Sequence, residues 1–174
     1  MPPIQGIAAA RDTIMTMDIH TMPGHLIRRL NQISVALFME RMAQAGLTLT
    51  PVQFAALSAI RDHPGIDQAT VAGLVAYDRA TLGKVIDRLD ARGLVARRTS
   101  PSDRRAKVLS LTEAGQALLE AARPHVTDVQ PMILAGLTKA EQAQFLNLLQ
   151  KATMAGNDRS RAPLRAPEPP PAKG

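Results

Sequence analysis

The chain has 174 residues, enough for one domain with its own core, and 45% of them are hydrophobic. It contains no cysteine, which excludes disulfide scaffolds, thiolate zinc sites and thiol redox switches. The formal net charge of +6 favours an acidic partner.

Residues 1–22 lack a regular pattern and are expected to form a flexible N-terminal arm. They mix charged side chains such as Arg11, Asp12 and Asp18 with apolar ones, unlike the apolar stretch of a signal peptide. No apolar run in the chain approaches the roughly 18 residues that a membrane span requires. We therefore expect a cytoplasmic protein that does not contact a membrane.

The first helix is expected over residues 24–45, directly after Pro23. Its apolar side chains form a stripe along one side of the helix. They are Leu26, Ile27, Leu30, Ile33, Leu37, Phe38 and Met42. Because the stripe is wide for one small domain, part of it is expected to face a second copy of the chain. The alternative is that it completes the core of a monomer.

Signals for three more helices follow. Thr50-Pro51-Val52-Gln53 combines a capping threonine, a proline at the first helical position and a returning glutamine. The helix that it opens ends before Pro64. A short helix is expected over residues 67–75, and Asp78 is expected to cap a fourth helix that ends at Gly93.

The pattern then changes to two strands, over residues 94–98 and 106–111, joined by a tight turn. Thr112 is expected to cap a helix over residues 113–125, which is either extended or kinked past Pro124 and Pro131.

A capping box at Thr138 opens the last helix, which is expected to end near Met154. Residues 156–174 are rich in proline, alanine and arginine, and are expected to form a disordered tail.

One face of the fourth helix is suited to entering a DNA groove. Leu82, Val85, Ile86 and Leu89 recur at the spacing of a core-facing stripe. The opposite face is small, polar and basic, and it supplies five candidate DNA contacts: Arg79, Thr81, Gly83, Lys84 and Arg88. An ordinary amphipathic surface helix would look the same, so this helix does not decide the matter alone.

The basic hairpin that follows makes nucleic-acid binding the favoured interpretation. Residues 92–107 hold six cationic side chains against Asp103, a net charge of +5. A purely structural hairpin gains nothing from such an excess of positive charge, because like charges on paired strands repel. Arg104 and Arg105 lie near the predicted turn, where they can enter a minor groove. The order short helix, helix, basic hairpin is that of a winged helix-turn-helix.

Several segments carry a more specific resemblance. They are Asp87-Arg88-Leu89, Arg92-Gly93-Leu94-Val95, Ser102-Asp103-Arg104-Arg105-Ala106-Lys107 and Leu111-Thr112-Glu113-Ala114-Gly115. In order and spacing, residues 24–153 resemble the MarR family of winged-helix regulators. The resemblance implies an obligate dimer that places two winged lobes on a pseudo-palindromic operator in double-stranded DNA.

The same resemblance implies roles for individual residues. Arg105 matches the wing arginine that enters the minor groove, and Asp78 matches the acidic residue that positions it. Thr81, Gly83 and Lys84 match recognition-helix positions that face the major groove. Asp103, in the wing turn, is expected to order that loop. Gly83 is unusual there, since it costs about 1 kcal/mol of helix propensity, and close backbone approach is one explanation.

The fold class that follows is mainly α with a small β-hairpin wing. We expect a winged helix-turn-helix lobe plus a helical dimerisation region. The corresponding ranges are 23–155 for the whole domain, 50–111 for the DNA-binding lobe, and 24–45 and 113–154 for the dimerisation helices.

Catalysis and metal binding are not expected. None of the four histidines lies at a metal-binding spacing from another, so we expect no metal and no cofactor. No nucleophile or acid–base set is recognisable either, and the chain is not expected to be an enzyme.

The start of the first helix carries a candidate effector site. His25 and Arg29 lie there with Arg28, where cations face the positive end of the helix dipole and a carboxylate can compensate. This stretch is similar to a MarR branch that controls aromatic-acid catabolism, including that of nicotinate. The similarity implies a small aromatic carboxylate or its thioester as effector, with Phe54 as a wall of the pocket. The alternatives are solvated arginines, or arginines that pair with acids of a partner subunit.

The sequence therefore predicts a ligand-responsive repressor of an aromatic-acid catabolic operon. One alternative is a non-specific architectural DNA-binding protein, for which the basic hairpin would suffice. Another is a winged-helix protein-interaction module whose basic surface meets an acidic partner.

Overall fold

The computed structural model of the protein describes residues 18–100 and 107–165. After a short 3-10 turn at Ile19–Thr21, the described residues form six α-helices and three β-strands. The helices are α1 (Pro23–Gln44), α2 (Pro51–Asp62), α3 (Gln68–Leu74), α4 (Arg79–Ala91), α5 (Glu113–Ile133) and α6 (Lys139–Ala155), and the strands are β1 (Ile66–Asp67), β2 (Val95–Thr99) and β3 (Lys107–Leu111). The mainly helical fold class with a small sheet is confirmed.

Side-chain caps explain where five of these helices begin. The caps of α2 to α6 each accept a hydrogen bond from a backbone N–H in the first turn, which satisfies a donor that the helix itself cannot pair. They are Thr50, Asp67, Asp78, Thr112 and Thr138. Both predicted capping boxes form, since Gln53 and Glu141 accept hydrogen bonds from the backbone N–H groups of Thr50 and Thr138.

The lobe formed by α2, α3, α4 and the sheet encloses most of the core. The predicted inner stripe of α4 is buried, with Leu82, Ile86 and Leu89 fully inaccessible to solvent and Val85 8% exposed. Each of these side chains stabilises the fold by about 1.5–3 kcal/mol relative to an exposed position. The outer face of α4 is thereby held toward solvent by a rigid support.

The sheet has the order β1-β3-β2 and both of its pairings are antiparallel. The two-residue strand β1, which the sequence did not reveal, pairs Ile66 with Leu109. The predicted hairpin is present, and its register runs from Val95 opposite Leu111 to Thr99 opposite Lys107. The turn of the hairpin, residues 101–106, lies outside the described residues, and with it the predicted DNA contacts Arg104 and Arg105 and the turn residue Asp103.

Helix α5 runs to Ile133 without a break, so it extends past Pro124 and Pro131. Each proline removes one backbone donor. The helix persists because its other face is buried, at Leu119, Ala122 and Val129. An ion pair of 2.6 Å between Arg41 and Asp128 joins it to α1.

The two chain ends differ from the sequence prediction where the structure describes them. Residues 18–22 of the expected arm include a 3-10 turn capped by Asp18. The tail expected to be disordered from residue 156 begins with a second 3-10 turn, Asn157–Arg159, and continues to residue 165. The reason is local: the Asn157 side chain satisfies both backbone polar groups of Leu164.

No helix within residues 18–100 and 107–165 is both long and apolar enough to cross a membrane.

Candidate nucleic-acid interface and effector site

The exposed face of α4 carries Arg79, Thr81 and Lys84 on its first two turns. Asp78 fixes the start of this face. Its carboxylate accepts hydrogen bonds from the Thr81 hydroxyl at 2.6 Å and from the Thr81 backbone N–H at 2.9 Å. These bonds hold the pKa of Asp78 below its usual value, so the group is anionic at neutral pH. The Thr81 hydroxyl proton is engaged by Asp78, which leaves its oxygen free to accept from a base or backbone donor.

Gly83 is half-buried where α4 meets α3. A β-carbon at this position would lie 3.2 Å from the side-chain nitrogen of Gln68. That nitrogen is the end of a flexible side chain and can shift by the few tenths of an ångström needed, so packing within the lobe does not by itself require glycine here. Whether Gly83 faces a DNA groove stays a prediction.

Two of the six cations in the basic segment are used inside the fold. Arg97 forms ion pairs with Asp87 and Asp90 of α4, which tie β2 to that helix. Arg92 donates a 2.9 Å hydrogen bond to the carbonyl of Thr48. The sequence could not distinguish these two arginines from the others, because their partners lie on other elements.

The remaining described cations of this segment are Arg98 and Lys107, both exposed on the hairpin strands. Lys107 donates a 3.0 Å hydrogen bond to the Thr99 hydroxyl opposite it. Arg98 is a candidate DNA contact that was not singled out from sequence. Its position on the outer end of β2, toward the turn, identifies it only once the hairpin register is known.

Arg88 lies apart from the other candidates. It is exposed but lines an open cleft of about 740 Å³ between the second half of α4, the second half of α1 and the loop that joins α1 to α2. Met39, Leu47 and Gln53 also line the cleft. The cleft is mostly apolar, so Arg88 borders a different environment from Arg79 and Lys84.

His25 and Arg29, the candidate effector residues of α1, lie one turn apart on the same side of the helix. The Nε2 atom of His25 is buried and has no hydrogen-bond partner within the described part of the chain. The ring of His20 packs edge-on against the His25 ring, with 5.3 Å between the ring centroids. Arg29 is exposed. This pair therefore offers one unsatisfied ring nitrogen beside one solvent-exposed guanidinium group.

Within one chain, Phe54 does not lie near His25 and Arg29. Its ring packs edge-on against Phe38, with 6.1 Å between the ring centroids. Phe38 follows His25 by 13 positions on α1, a separation of about 20 Å along the helix axis at 1.5 Å per residue. None of the three predicted effector residues lines the 740 Å³ cleft.

Metal-ion ligands are not clustered in residues 18–100 and 107–165, where no group of three or more histidine and acidic side chains is placed to hold an ion.

Comparison with known proteins identifies relatives of this arrangement. A family model described as the MarR family matches residues 45–106. The HTH-type transcriptional repressor NicR of Pseudomonas putida is 36% identical over 134 residues, which cover 77% of this chain and 84% of NicR.

Two solved structures are similar over most of the fold. One is the PcaV transcriptional regulator of Streptomyces coelicolor in complex with its natural ligand, with a TM-score of 0.72 and 34% identity over 80% of this chain and 96% of that one. The other is BpsR of Bordetella bronchiseptica, described as regulated in its DNA binding by 6-hydroxynicotinic acid. Its TM-score is 0.73 and its sequence is 35% identical, and the match covers 78% of this chain and 96% of the BpsR chain.

Proposed function

This chain belongs to the MarR family of transcriptional regulators, and on that premise we propose that it acts as a cytoplasmic, homodimeric repressor of an aromatic-acid catabolic operon. It binds a pseudo-palindromic operator and releases it when a small aromatic acid binds. The observation that carries the DNA-binding part is the rigidly supported basic face of α4 beside a basic hairpin.

In this proposal the first two turns of α4 enter the major groove. Arg79 and Lys84 contact phosphates or guanine edges, and the Thr81 oxygen accepts a hydrogen bond from a base amino group. Gly83 lets the backbone of α4 approach the groove, and Arg88 contacts the flanking phosphates.

The hairpin contacts the neighbouring DNA in the same proposal. Arg98 and Lys107 bind backbone phosphates. Arg104 and Arg105 reach the minor groove, where the negative potential favours arginine, with Asp78 orienting Arg105.

Exposed apolar side chains support the dimer. Several large ones lie on α1, α5 and α6. They are Leu26, Ile27, Ile33, Met132, Leu146, Leu148 and Met154, each 48% exposed or more. Large apolar side chains left exposed in this number are typical of a protein interface. Two joined lobes bind half-sites one DNA turn apart, about 34 Å.

The effector proposal rests on His25. Its buried, unpaired nitrogen and the nearby Arg29 guanidinium group can together hold a carboxylate, which Arg binds in a bidentate manner. An acid that binds one spacing of the two lobes more tightly than the operator-bound spacing weakens DNA binding by that difference in affinity. Since Phe54 of α2 packs against Phe38, about 20 Å along α1 from His25, one small acid within one chain contacts either His25 or Phe54.

The DNA-binding proposal is tested by footprinting the promoter of the protein's own gene and measuring affinity by fluorescence anisotropy over a salt series. We expect a palindromic footprint, a steep salt dependence and at least about tenfold weaker binding for Lys84→Ala and Arg105→Ala. Lys139→Ala, which removes the same charge at the start of α6, is the matched control.

Other outcomes would favour the alternatives. Equal affinity for the promoter and a shuffled duplex would indicate an architectural DNA-binding protein. No binding to either duplex at moderate salt would indicate a protein-interaction module.

The effector proposal is tested by titrating 6-hydroxynicotinic acid, benzoate and a benzoyl thioester into the protein–operator complex and into the free protein. We expect at least one of them to raise the Tm and to release the operator. His25→Ala and Arg29→Ala should abolish both effects while the affinity for DNA persists. If Phe54→Ala abolishes the response and the other two variants retain it, the effector site lies at the opposite end of α1.

A further inference from the structure

The residues after α6 fold back onto the DNA-binding lobe. This return segment (residues 157–165) is closed by Asn157, whose side-chain amide donates to the Leu164 carbonyl at 3.2 Å and whose carbonyl accepts from the Leu164 N–H at 2.7 Å. Ser160 adds a 3.1 Å hydrogen bond to the backbone of Ala162. The segment therefore has a defined shape of its own.

Gly73 of α3 makes room for the return segment. A β-carbon on Gly73 would lie 2.7 Å from the carbonyl oxygen of Pro163, a separation that carbon and oxygen atoms do not tolerate. Glycine inside a helix costs about 1 kcal/mol relative to alanine. The close approach of Pro163 gives a structural reason for this unfavourable residue, and it links α3 to the segment.

This contact brings three arginines together. Arg161 and Arg165 of the return segment line a small cavity of about 120 Å³ with Thr70 and with Arg79, the first residue of α4. None of the three guanidinium groups has an ion-pair partner within residues 18–100 and 107–165. Three converging cations repel one another, and a bound anion would remove that repulsion.

A phosphate group suits the cavity in size and chemistry. The cavity volume of about 120 Å³ compares with about 30 Å³ for one water molecule in the liquid, so a tetrahedral anion of five heavy atoms fits. Guanidinium groups bind phosphate oxygens through paired hydrogen bonds. Because Arg79 also opens the helix that faces the groove, the cavity lies at the edge of the DNA-binding surface.

We propose that the return segment is part of the DNA interface, and that Arg161 and Arg165 join Arg79 in holding a backbone phosphate of the bound duplex. This inference rests on the proposed DNA-binding function and deepens it. A phosphate contact positions the lobe without reading sequence, so it strengthens binding to every duplex to a similar extent.

The first test compares the full-length protein with the Arg161→Ala/Arg165→Ala variant. Affinity is measured over a salt series on the protein's own promoter duplex and on a shuffled duplex of the same length. One neutralised phosphate contributes a salt slope of about 0.9, which is about eightfold in affinity at 0.1 M salt. We expect a loss approaching this size per subunit on both duplexes. Arg159→Ala, a neighbouring arginine outside the cavity, is the matched control and should change neither quantity appreciably.

The second test displaces the segment without removing charge. Gly73→Ala improves helix propensity, so the lobe stays folded, but its methyl group pushes Pro163 away. We expect Gly73→Ala to weaken DNA binding as the double arginine variant does. Combined with that variant it should add nothing further, because both changes remove the same contact.

Three outcomes would overturn the inference. One is a double arginine variant that matches Arg159→Ala in affinity and salt slope. Another is a Gly73→Ala substitution that weakens DNA binding as much in the double arginine variant as it does in the wild-type protein. The third comes from thermal melts with added inorganic phosphate: if the double arginine variant loses the rise in Tm that phosphate gives the wild-type protein, while its DNA binding is unchanged, the cavity is a site for a free anion. Failure of the wild-type protein to prefer its promoter would instead contradict the proposed function, since the contact can still be measured on the shuffled duplex.

Discussion

At the scale of single residues, two aspartates hold the helix-turn-helix in shape. Asp67 caps α3 by accepting hydrogen bonds from the backbone N–H groups of Ala69 and Thr70, and Asp78 caps α4 through Thr81. Burial raises the pKa of the Asp67 carboxyl, but the hydrogen bonds from Thr70 and Ala69 outweigh it and the net shift is downward. Both carboxylates therefore stabilise the lobe in their charged form.

The downward pKa shift of Asp67 predicts part of the response to acid. A carboxyl whose pKa is lower in the folded state contributes stability above its unfolded pKa, near 3.9, and loses that contribution as the pH falls through the folded pKa. Asp67→Asn keeps the cap and abolishes this titration. Between pH 5 and pH 3, the wild-type protein should therefore lose more free energy of unfolding than the Asp67→Asn variant, as measured by urea denaturation.

Asp67→Ala is the companion variant, because it removes the cap altogether. It should lower the free energy of unfolding at pH 7 by about 1 kcal/mol, whereas Asp67→Asn should leave it nearly unchanged. Equal acid sensitivity of wild type and Asp67→Asn would show that other carboxyl groups dominate the response.

Asp78 predicts a separation of stability from DNA binding. Asp78→Ala removes the α4 cap and should lower the Tm, while Asp78→Asn retains an acceptor for Thr81 and should keep it. If Asp78 also orients Arg105, both variants should bind DNA about tenfold more weakly. Weaker binding by Asp78→Asn is diagnostic, because loss of a negative charge alone would strengthen binding to DNA. Anisotropy titrations and thermal melts on the same samples decide between the two roles.

At the scale of elements, the start of α5 is built against the end of α4. The Thr112 hydroxyl donates to the Gly93 carbonyl at 2.6 Å and accepts from the Gly115 N–H at 3.0 Å. A β-carbon on Gly115 would lie 2.0 Å from the carbonyl oxygen of Leu94. The stretch Leu111-Thr112-Glu113-Ala114-Gly115 thus joins the DNA-binding lobe to the long helix that leads away from it.

Gly115→Ala should be strongly destabilising. Its methyl group cannot avoid the Leu94 backbone, so we expect a loss of about 1–3 kcal/mol in the free energy of unfolding, despite the better helix propensity of alanine. Gly24→Ala in the first turn of α1 is the control, since nothing lies within 4 Å of its β-carbon. Urea denaturation of both variants tests this, and equal stabilities would contradict the close packing at Gly115.

At the scale of the whole molecule, most of the large exposed apolar side chains of the described residues lie on three helices. These helices are α1, α5 and α6, whereas the basic face of α4 and the hairpin belong to the lobe, and the return segment packs on it. Leu146 and Leu148 of α6 are 48% and 56% exposed in the single chain. A second subunit that covers these apolar side chains would leave the two basic surfaces free for one duplex.

Leu148→Asp should weaken the proposed dimer by about tenfold or more, because an unpaired charge in an interface is costly. Sedimentation velocity should show the monomer fraction rising at micromolar concentration. Affinity for the palindromic promoter duplex should fall with it, since a single lobe loses the gain from two half-sites. Asn147→Asp, which adds the same charge at an exposed neighbour on the same helix, should change neither measurement appreciably.

The elements and the general position of the basic surface could be predicted from the sequence, because caps, glycine stops and apolar periodicity act between residues close in the chain. Thr50, Asp78 and Thr138 cap their helices as expected, and Leu82, Val85, Ile86 and Leu89 are buried together. The basic residues 92–107 and the quoted segments were sufficient to identify the family.

Only the tertiary structure decided which charges remain free. Arg97 is paired by Asp87 and Asp90 of a neighbouring element, whereas Arg161 and Arg165, in a tail expected to be disordered, are brought to Arg79 by the fit of Pro163 over Gly73. The continuity of α5 through two prolines likewise depends on packing against α1 and the lobe. These features depend on contacts between residues far apart in sequence. The free energy of such contacts cannot be predicted from local sequence patterns.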